Sequence, residues 1–378
     1  MANVYLLDGD AETALSSFED GLFSALLAKK RQFGKICRFD TSKLPFDSAA
    51  CIEFLNDEQN ESDNLTQTLM RRVLPKFTQL PTINTIIWGG VKGNAEFIEN
   101  GAWSGDSTCS FPYLPRHYSL WVRDQLGYEN AKLIEVQAAC ASSTFGIAIG
   151  ADLIVSGRSR SVLIVAADIV SRFSFIGFSA LNVLSSSVCR PFDVDRDGLL
   201  LGDGAVAVLL AGEDYVKDLG LTPLAQLSGW GIANDANHIT APARDGRGLI
   251  SAMTQALRKA NVKPRDIGAF CAHGTGTIYN DAMELTAIEA VFGDRHFPVF
   301  SVKGALGHTL GAAGGIEALI CAKAFAEGVV PPTIGLKCPE LKSHGRVSFE
   351  KQEFDNKRMM TCNSGFGGVN VALILEDV

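Results

Sequence analysis

The amino-acid sequence predicts an α/β fold whose sheets are covered by helices on both faces. Short apolar runs rich in β-branched residues recur along the chain, and several are continuous rather than alternating, as in strands buried on both sides. Stretches with apolar residues at helical spacing lie between these runs. The composition agrees, because 378 residues that are 47% hydrophobic and 20% charged supply the apolar material for a large core. Strands and helices that alternate in this way build layered α/β proteins.

The predicted strands are spread over both halves of the chain. In order they cover 82–90, 131–139, 161–168, 205–212, 224–233, 267–274, 298–304 and 369–377. Helices are predicted over 142–154, 248–262 and 281–294. The last of these opens on Asp281, which suits the positive end of a helix dipole.

Two segments near the ends of the halves resemble each other. GDGAVAVLLAGEDY, residues 202–215, and GFGGVNVALILEDV, residues 365–378, each pass from a glycine turn through an apolar run to an acidic end. No proline- or serine-rich linker divides the chain. We therefore expect two pseudo-duplicated halves, 1–212 and 213–378, that meet near residue 212.

Charge, hydropathy and cysteine content exclude several classes of protein. The net charge of −8 argues against a general nucleic-acid binder. The N-terminus lacks the features of a signal peptide, and no uncharged apolar run reaches the roughly 18 to 20 residues of a membrane span. Nine cysteines without CxxC or other metal-ligand spacing fit reduced thiols in the cytoplasm. We expect a cytoplasmic protein with no metal site and with neither a membrane nor a nucleic acid as partner.

Cys140 stands at the predicted turn from a strand into the helix over 142–154. A thiol there gains backbone N–H groups and the positive end of the helix dipole, which favour the thiolate. Its neighbours are small, so they permit a tight turn and leave the sulfur reachable. They are Ala139, Ala141, Ser142 and Ser143. Packing of an ordinary buried cysteine is the alternative. The more specific interpretation is a nucleophile that takes an acyl group from a thioester.

Two of the six histidines lie in glycine-rich loops. His273 occurs in AHGTGTIYND and His308 in SVKGALGHTLGAAGGIEA, and each loop follows a predicted strand. Ligands and catalytic groups gather beyond the carboxyl ends of strands in α/β sheets. Both histidines are therefore candidates to supply hydrogen bonds or protons to a thioester held at Cys140.

Two other motifs suggest a calcium site and a nucleotide site, and neither has the residues that such a site needs. The segment 193–204, DVDRDGLLLGDG, has acidic residues at calcium-loop spacing, but its twelfth position is Gly204 rather than glutamate. An apolar β-like run also follows it where a calcium-binding hand needs a helix. The GTG beside His273 is an incomplete GxGxxG and predicts no nucleotide site.

Five motifs resemble those of the β-ketoacyl-(acyl carrier protein) synthases, condensing enzymes of the Cys-His-His type with a thiolase fold. In the family's order they are AACASS, PFDVDRDGLLLGDGA, HGTGTIYND, KGALGHTLGAAGGIE and NSGFGGVN, the last one residue shorter than the usual NSFGFGG. The resemblance runs from about residue 80 to the C-terminus. It implies a thiolase-like, five-layered αβαβα architecture, with the nucleophilic cysteine in the first half and both histidine loops in the second.

The resemblance also implies a role for each matching residue. Cys140 is then the acyl acceptor, and His273 and His308 serve decarboxylation of the extender unit. The other assignments are Lys303 and Glu317 as a supporting charged pair, Asp281 as the carboxylate after the HGTGT loop, Thr275 and Thr277 as the hydroxyls that bind a phosphopantetheine arm, and Phe366 as a gate whose backbone N–H joins that of Cys140 in an oxyanion hole. Structural roles are the alternatives: an ordinary ion pair for Lys303 and Glu317, a helix N-cap for Asp281, and local backbone hydrogen bonds for the two threonines.

The implied activity is that of a β-ketoacyl-carrier protein synthase, an acyltransferase of fatty acid or polyene and polyketide biosynthesis. It would join an acyl chain on Cys140 to malonyl-carrier protein in a decarboxylative Claisen condensation. Its substrates would arrive on the phosphopantetheine arm of acyl carrier protein, with no cofactor bound permanently. The resemblance also implies a homodimer, or a heterodimer with a related ketosynthase or chain-length-factor subunit.

Three alternatives differ in what they require at the site. A non-elongating chain-length-factor-type subunit predicts a lost nucleophile, whereas Cys140 is present. A thiolase needs a second cysteine in the C-terminal glycine loop, where Phe366 stands. A Cys-His-Asn synthase needs asparagine in the second basic loop, where this chain has His308.

The segment MRRVLPKF, residues 70–77, is the expected docking site for carrier protein. Carrier proteins of this family have an acidic surface, so an enzyme of net charge −8 needs positive charge near its entrance. Arg71, Arg72 and Lys76 place three basic residues within six positions, outside the five motifs. A solvated helix face is the alternative for these residues.

Overall fold

The computed structural model describes residues 3–57, 64–91, 99 and 116–378. Its main sheet consists of two five-stranded units. The first contains β1 (Val4–Thr13), β2 (Thr85–Gly89), β3 (Lys132–Val136), β4 (Ser161–Asp168) and β5 (Gly204–Gly212). The second contains β6 (Ala225–Asn234), β7 (Ala269–Cys271), β8 (Val299–Phe300), β9 (Arg358–Gly365) and β10 (Val369–Glu376).

The two units have the same topology. The strand order is β3-β2-β4-β5-β1 in the first and β8-β7-β9-β10-β6 in the second. In both, the first three strands of that order run parallel and the last three run antiparallel. The units join where Val4–Leu6 of β1 pairs with Ala225–Leu227 of β6. The predicted pseudo-duplication is thus present as a repeated strand order.

Helices cover the sheet and separate its two units. In chain order they are α1 (Leu22–Leu27), α2 (Phe54–Asp57), α3 (Leu65–Val73), α4 (Arg116–Leu126), α5 (Ser142–Val155), α6 (Arg172–Ala180), α7 (Glu213–Leu219), α8 (Arg247–Ala260), α9 (Ile278–Phe292), α10 (Lys303–Leu306) and α11 (Ala313–Glu327). Helices α5 and α11 touch each other and strands of both units, so they form a central layer. Helices α3 and α4 pack on the outer face of the first unit, and α8 packs on that of the second with α9 beside it. The result is the five-layered αβαβα order that the resemblance implied.

The central layer depends on small residues. A helix that is apolar all round belongs in the interior, and α5 and α11 are buried along nearly their whole length. Gly146 of α5 lies against Ile87 and Ile164 of the first unit, and Gly315 of α11 lies against Val206. Small residues at these positions let the helices approach the strands closely, which places their N-termini at the edge of both units.

Two strands, β1 and β9, are not among those predicted from apolar runs. β1 carries Asp8, Asp10 and Glu12, and β9 carries Thr361 and Asn363, so neither segment has a continuous apolar run. All the strands that were predicted are present, although β7 and β8 are shorter than their apolar runs. The predicted helices over 142–154, 248–262 and 281–294 correspond to α5, α8 and α9.

Candidate active site

Cys140 and His308 occupy equivalent loops of the two halves. Cys140 lies in a short 3-10 turn, Ala139–Ala141, between β3 and α5. His308 lies between β8 and α11, just before the 3-10 turn Leu310–Ala312. Each turn begins with a non-glycine residue in the left-handed region, with φ of 47° at Ala139 and 52° at Leu310. The repeated topology thus brings both loops to the N-termini of the central helices.

A cavity of about 270 Å³ brings together the residues singled out from the sequence. Both halves of the chain contribute to its wall. The assigned residues that line it are Cys140, His273, His308, Thr275, Thr277 and Phe366. Lys303, Glu317 and Asp281 do not line it; they lie in the wall behind and are almost completely buried.

Both histidines are buried with Nδ1 facing a donor. The backbone N–H of Leu310 donates to Nδ1 of His308 at 3.3 Å, and the side-chain amide nitrogen of Asn363 lies 3.2 Å from Nδ1 of His273. A backbone N–H and a side-chain NH₂ can only donate, so Nδ1 accepts in each ring and the proton of each neutral imidazole is on Nε2. Burial holds the pKa of both histidines well below its usual range, with the charge of Lys303 adding to the effect. The ring centroids are 5.2 Å apart at an interplanar angle of 81°, so the site holds two neutral N–H donors side by side.

Cys140 is protonated in the resting site. The sequence-based expectation was that the helix N-terminus would favour its thiolate. Only 5% of the residue is exposed, and burial raises the pKa of its thiol to about 12. The charge of Lys303 lowers this pKa, but the burial effect is larger. An apolar cluster surrounds the residue, including Phe178, Leu199 and Leu310. Because the resting group is a neutral thiol, its proton must leave when sulfur attacks a thioester.

Lys303 and Glu317 form a buried ion pair of 2.5 Å behind the cavity. Burial raises the pKa of Glu317, and the adjacent Lys303 ammonium acts against that shift. The other oxygen of Glu317 accepts a hydrogen bond of 2.7 Å from Asn363. The pair is therefore connected to His273 through Asn363, which was not singled out by sequence reasoning even though it begins the NSGFGG motif.

Asp281 organises the HGTGT loop and does not act as a helix N-cap. It lies in the first turn of α9, and its carboxylate accepts from the backbone N–H groups of Thr275, Gly276 and Phe192. A second carboxylate, Glu284, accepts from the backbone N–H groups of His273 and Gly274, both at 2.7 Å. Burial, and next the charge of Asp281, raise the pKa of Glu284 to about 8. Sequence reasoning missed Glu284; its signal was a glutamate one helical turn after Asp281.

The remaining assigned residues lie along the cavity wall. The hydroxyls of Thr275 and Thr277 are 2.9 Å apart, and that of Thr275 also accepts from the backbone N–H of Thr277, as the alternative of local bonding anticipated. The ring of Phe366 stacks on Phe178 with centroids 5.6 Å apart. Its neighbour Gly365 sits directly on the nucleophile turn, because an added Cβ there would lie 2.6 Å from the carbonyl oxygen of Ala138.

The basic segment 70–77 carries little uncompensated charge. Lys76 pairs with Asp8 at 2.8 Å and with Glu19 at 2.7 Å. Arg72 lies 3.5 Å from Glu12, and Arg71 donates to the side chain of Gln125. The acidic residues of β1 and its following loop therefore neutralise much of this cluster, which weakens the expectation that it attracts an acidic partner.

The described ranges contain neither a metal-holding cluster nor a helix that could span a membrane. Within 3–57, 64–91, 99 and 116–378, no three His, Cys, Asp or Glu side chains are grouped to hold a metal ion. Among the helices in those ranges, none combines the length and apolar character needed to cross a membrane.

Two family models match this chain. That for the N-terminal domain of β-ketoacyl synthases matches residues 130–214, and that for the C-terminal domain matches residues 224–337. Together the matches cover more than half of the chain.

The curated proteins similar to this chain include several synthases. One is 3-oxoacyl-[acyl-carrier-protein] synthase 2 of Rhizobium meliloti (strain 1021), at 37% identity over 61% of this chain and 55% of that protein. Another is the mitochondrial 3-oxoacyl-[acyl-carrier-protein] synthase of Arabidopsis thaliana, at 35% identity over 60% of this chain and 51% of that protein. The matches thus span about half the length of these relatives.

Solved structures match over the entire chain. The ishigamide ketosynthase/chain length factor has a TM-score of 0.87 at 27% identity, covering 100% of this chain and 99% of that one. A β-ketoacyl synthase from Burkholderia phymatum STM815 has a TM-score of 0.88 at 25% identity, with both chains fully covered.

Proposed function

Because this chain belongs to the β-ketoacyl synthase family, we propose that it is a condensing enzyme, a 3-oxoacyl-[acyl-carrier-protein] synthase. It takes an acyl chain from carrier protein onto Cys140 and joins that chain to malonyl-carrier protein with loss of CO₂. The single observation that carries the proposal is the cavity in which Cys140, His273 and His308 meet. The pathway is fatty acid or polyene and polyketide biosynthesis.

The first half-reaction loads the acyl chain. The sulfur of Cys140 attacks the thioester carbonyl, the bond to the carrier thiol breaks, and the carrier leaves as a free thiol. The proton that the carrier needs is the one that the thiol of Cys140 gives up; it passes from the attacking sulfur to the leaving sulfur. The backbone N–H groups of Cys140 and Phe366 stabilise the oxyanion, in keeping with the contact of Gly365 on the nucleophile turn.

The second half-reaction forms the carbon–carbon bond. The Nε2–H groups of His273 and His308 donate to the thioester oxygen of the malonyl group, which stabilises the enolate that forms as CO₂ leaves. The enolate carbon attacks the acyl carbonyl on Cys140, and the tetrahedral intermediate collapses with release of the Cys140 thiolate, which takes up a proton from water. The products are β-ketoacyl-carrier protein, CO₂ and the free thiol of Cys140.

The partners and organisation follow from the same proposal. Acyl carrier protein delivers both substrates on its phosphopantetheine arm, for which Thr275 and Thr277 are the binding hydroxyls. The protein works in the cytoplasm as a homodimer or as a heterodimer with a related ketosynthase or chain-length-factor subunit. Residues 1–212 and 213–378 form its two thiolase-like halves. The two family models support this division, because one match ends at residue 214 and the other begins at residue 224.

A chain-length-factor-type subunit that does not elongate is the second candidate. It is favoured by one observation, the similarity to a ketosynthase/chain length factor of known structure. Retention of Cys140, His273 and His308 around one cavity favours the condensing enzyme instead.

Intact-mass spectrometry tests the proposal. Wild-type protein incubated with acyl-carrier proteins of several chain lengths should gain one acyl group, and adding malonyl-carrier protein should then yield β-ketoacyl-carrier protein. Cys140→Ala should give neither signal, because no acyl-enzyme can form. Absence of any adduct on wild-type Cys140 would favour the non-elongating subunit.

A further inference from the structure

Asn363 occupies the junction between the nucleophile helix, the charged pair and one histidine. It lies in β9, a strand of the second unit, and is completely buried. Its side-chain oxygen accepts the hydroxyl hydrogen of Thr144, which is in the first turn of α5. Its side-chain nitrogen lies 2.7 Å from a Glu317 oxygen and 3.2 Å from Nδ1 of His273.

The orientation of this amide is determined by its neighbours. The Glu317 carboxylate, paired with Lys303, can only accept, so the NH₂ end of Asn363 must face it. The Thr144 hydroxyl on the opposite side donates to the amide oxygen. Gly314 of α11 closes the site, because an added Cβ there would lie 1.7 Å from the Thr144 hydroxyl and 2.4 Å from the amide oxygen.

The NH₂ group has one hydrogen for each of two acceptors. One hydrogen is directed to Glu317, and the other hydrogen is directed to Nδ1 of His273. A ring nitrogen that accepts a hydrogen bond carries no proton, so the proton of the neutral ring stays on Nε2. The Lys303–Glu317 pair, which does not line the cavity, thereby acts on His273 through Asn363.

We propose that Asn363 is a positioning residue that holds His273 in the Nε2–H tautomer, so that its donor faces the reacting thioester oxygen. The consequence for the reaction rests on the proposed function, whereas the tautomer does not. His308 needs no such side chain, because the backbone N–H of Leu310 faces its Nδ1.

Asn363→Asp gives the sharpest test, because it keeps the shape and changes only the hydrogens. A carboxyl oxygen carries at most one hydrogen where the amide nitrogen carries two. That hydrogen goes to the contact with Glu317, where two carboxyl groups would otherwise repel each other. The oxygen then presents a lone pair to His273 and draws the ring proton onto Nδ1.

The tautomer can be measured directly by NMR with ¹⁵N-labelled histidine rings. The chain has six histidines, and the spectrum of His273→Gln assigns the signal of interest. Wild-type His273 should be a neutral Nε2–H ring, and Asn363→Asp should convert it to a ring protonated on Nδ1. Asn84→Asp is the matched control, since Asn84 precedes β2 and its side chain accepts from the backbone N–H groups of Arg160 and Ser161, away from the cavity. It should leave the His273 signals unchanged.

The kinetic result should agree with the NMR result. Release of CO₂ from malonyl-carrier protein should fall on the order of 10²–10³ in kcat in Asn363→Asp, with KM little changed, as expected when one oxyanion donor is lost. If Asn363→Asp does not fold, Asn363→Ala should replace the single tautomer with a mixture. A wild-type His273 protonated on Nδ1, or an unchanged tautomer in either variant, would overturn the inference. A correct tautomer in a protein without condensing activity would instead overturn only the proposed function.

Discussion

Burial decides the protonation states of single residues in this site. The pKa of the Cys140 thiol is raised to about 12, while the pKa values of His273 and His308 are held well below their usual range. The resting site therefore contains a neutral thiol and two neutral imidazoles. Neutral imidazoles keep one N–H donor and one acceptor each, so the rings can stabilise an enolate without carrying charge.

His308→Ala should separate the two half-reactions. The variant should still load acyl groups on Cys140, because the nucleophile turn and His273 remain. CO₂ release from malonyl-carrier protein should fall on the order of 10²–10³ through loss of one donor to the enolate. Acyl loading is followed by intact mass and decarboxylation by CO₂ release.

His296→Ala serves as the control for that experiment. His296 is exposed, contacts the carbonyl oxygen of Gly345 and does not line the cavity, so both half-reactions should be unchanged. Normal decarboxylation in His308→Ala would show that His308 does not act on the extender unit.

At the scale of secondary-structure elements, the two central helices meet where a glycine of α11 faces a threonine of α5. Gly314 of α11 lies against both Thr144 of α5 and Asn363 of β9, so three elements pack together at this glycine. Packing of this density leaves no room for an added methyl group unless backbone moves. The same contact fixes the position of the Asn363 amide relative to the His273 ring.

Gly314→Ala should therefore destabilise the protein by about 1–3 kcal/mol, the usual result of overpacking. Gly177→Ala is a matched change in helix α6, where an added Cβ meets nothing within 4 Å. It should raise the free energy of unfolding by about 0.5–1 kcal/mol, because alanine favours a helix more than glycine does. Denaturant unfolding measures both, and equal effects of the two changes would show that the Thr144–Asn363 contact is not tight.

At the scale of the whole molecule, the cavity opens among exposed apolar side chains. Ile239 is 77% exposed, Ile278 56% and Tyr279 57%, and all three line the cavity. The exposed guanidinium of Arg244 lies 5.2 Å from the centre of the Tyr279 ring. Arg244 is therefore an exposed positive charge beside this mouth, whereas the basic segment 70–77 is largely neutralised.

Arg244→Glu should raise KM for carrier-protein substrates by about fivefold, the effect of an exposed charge pair worth about 1 kcal/mol. Reaction with small acyl thioesters should be unchanged, since the cavity residues stay in place. Arg71→Glu is the matched change in the sequence-predicted cluster and should alter neither value. Steady-state kinetics with both substrate types decides between Arg244 and the basic segment 70–77 as the docking site. A raised KM in Arg71→Glu, with none in Arg244→Glu, would identify the segment 70–77 as the docking site.

The strongly periodic elements and the five motifs could be predicted from the amino-acid sequence, because both depend on residues close together along the chain. The sequence did not reveal β1 or β9, because acidic residues interrupt the apolar pattern of β1 and polar residues interrupt that of β9. In the folded protein, Arg72 and Lys76 pair with Glu12 and Asp8 of β1. Folding of the whole chain was needed to bring Asn363 to His273 and Glu317, which are 90 and 46 residues away in sequence. Only burial decides that Cys140 rests as a thiol rather than as the thiolate its helix position suggested. Contacts across the chain and the removal of water set these properties, and neither follows from a local pattern.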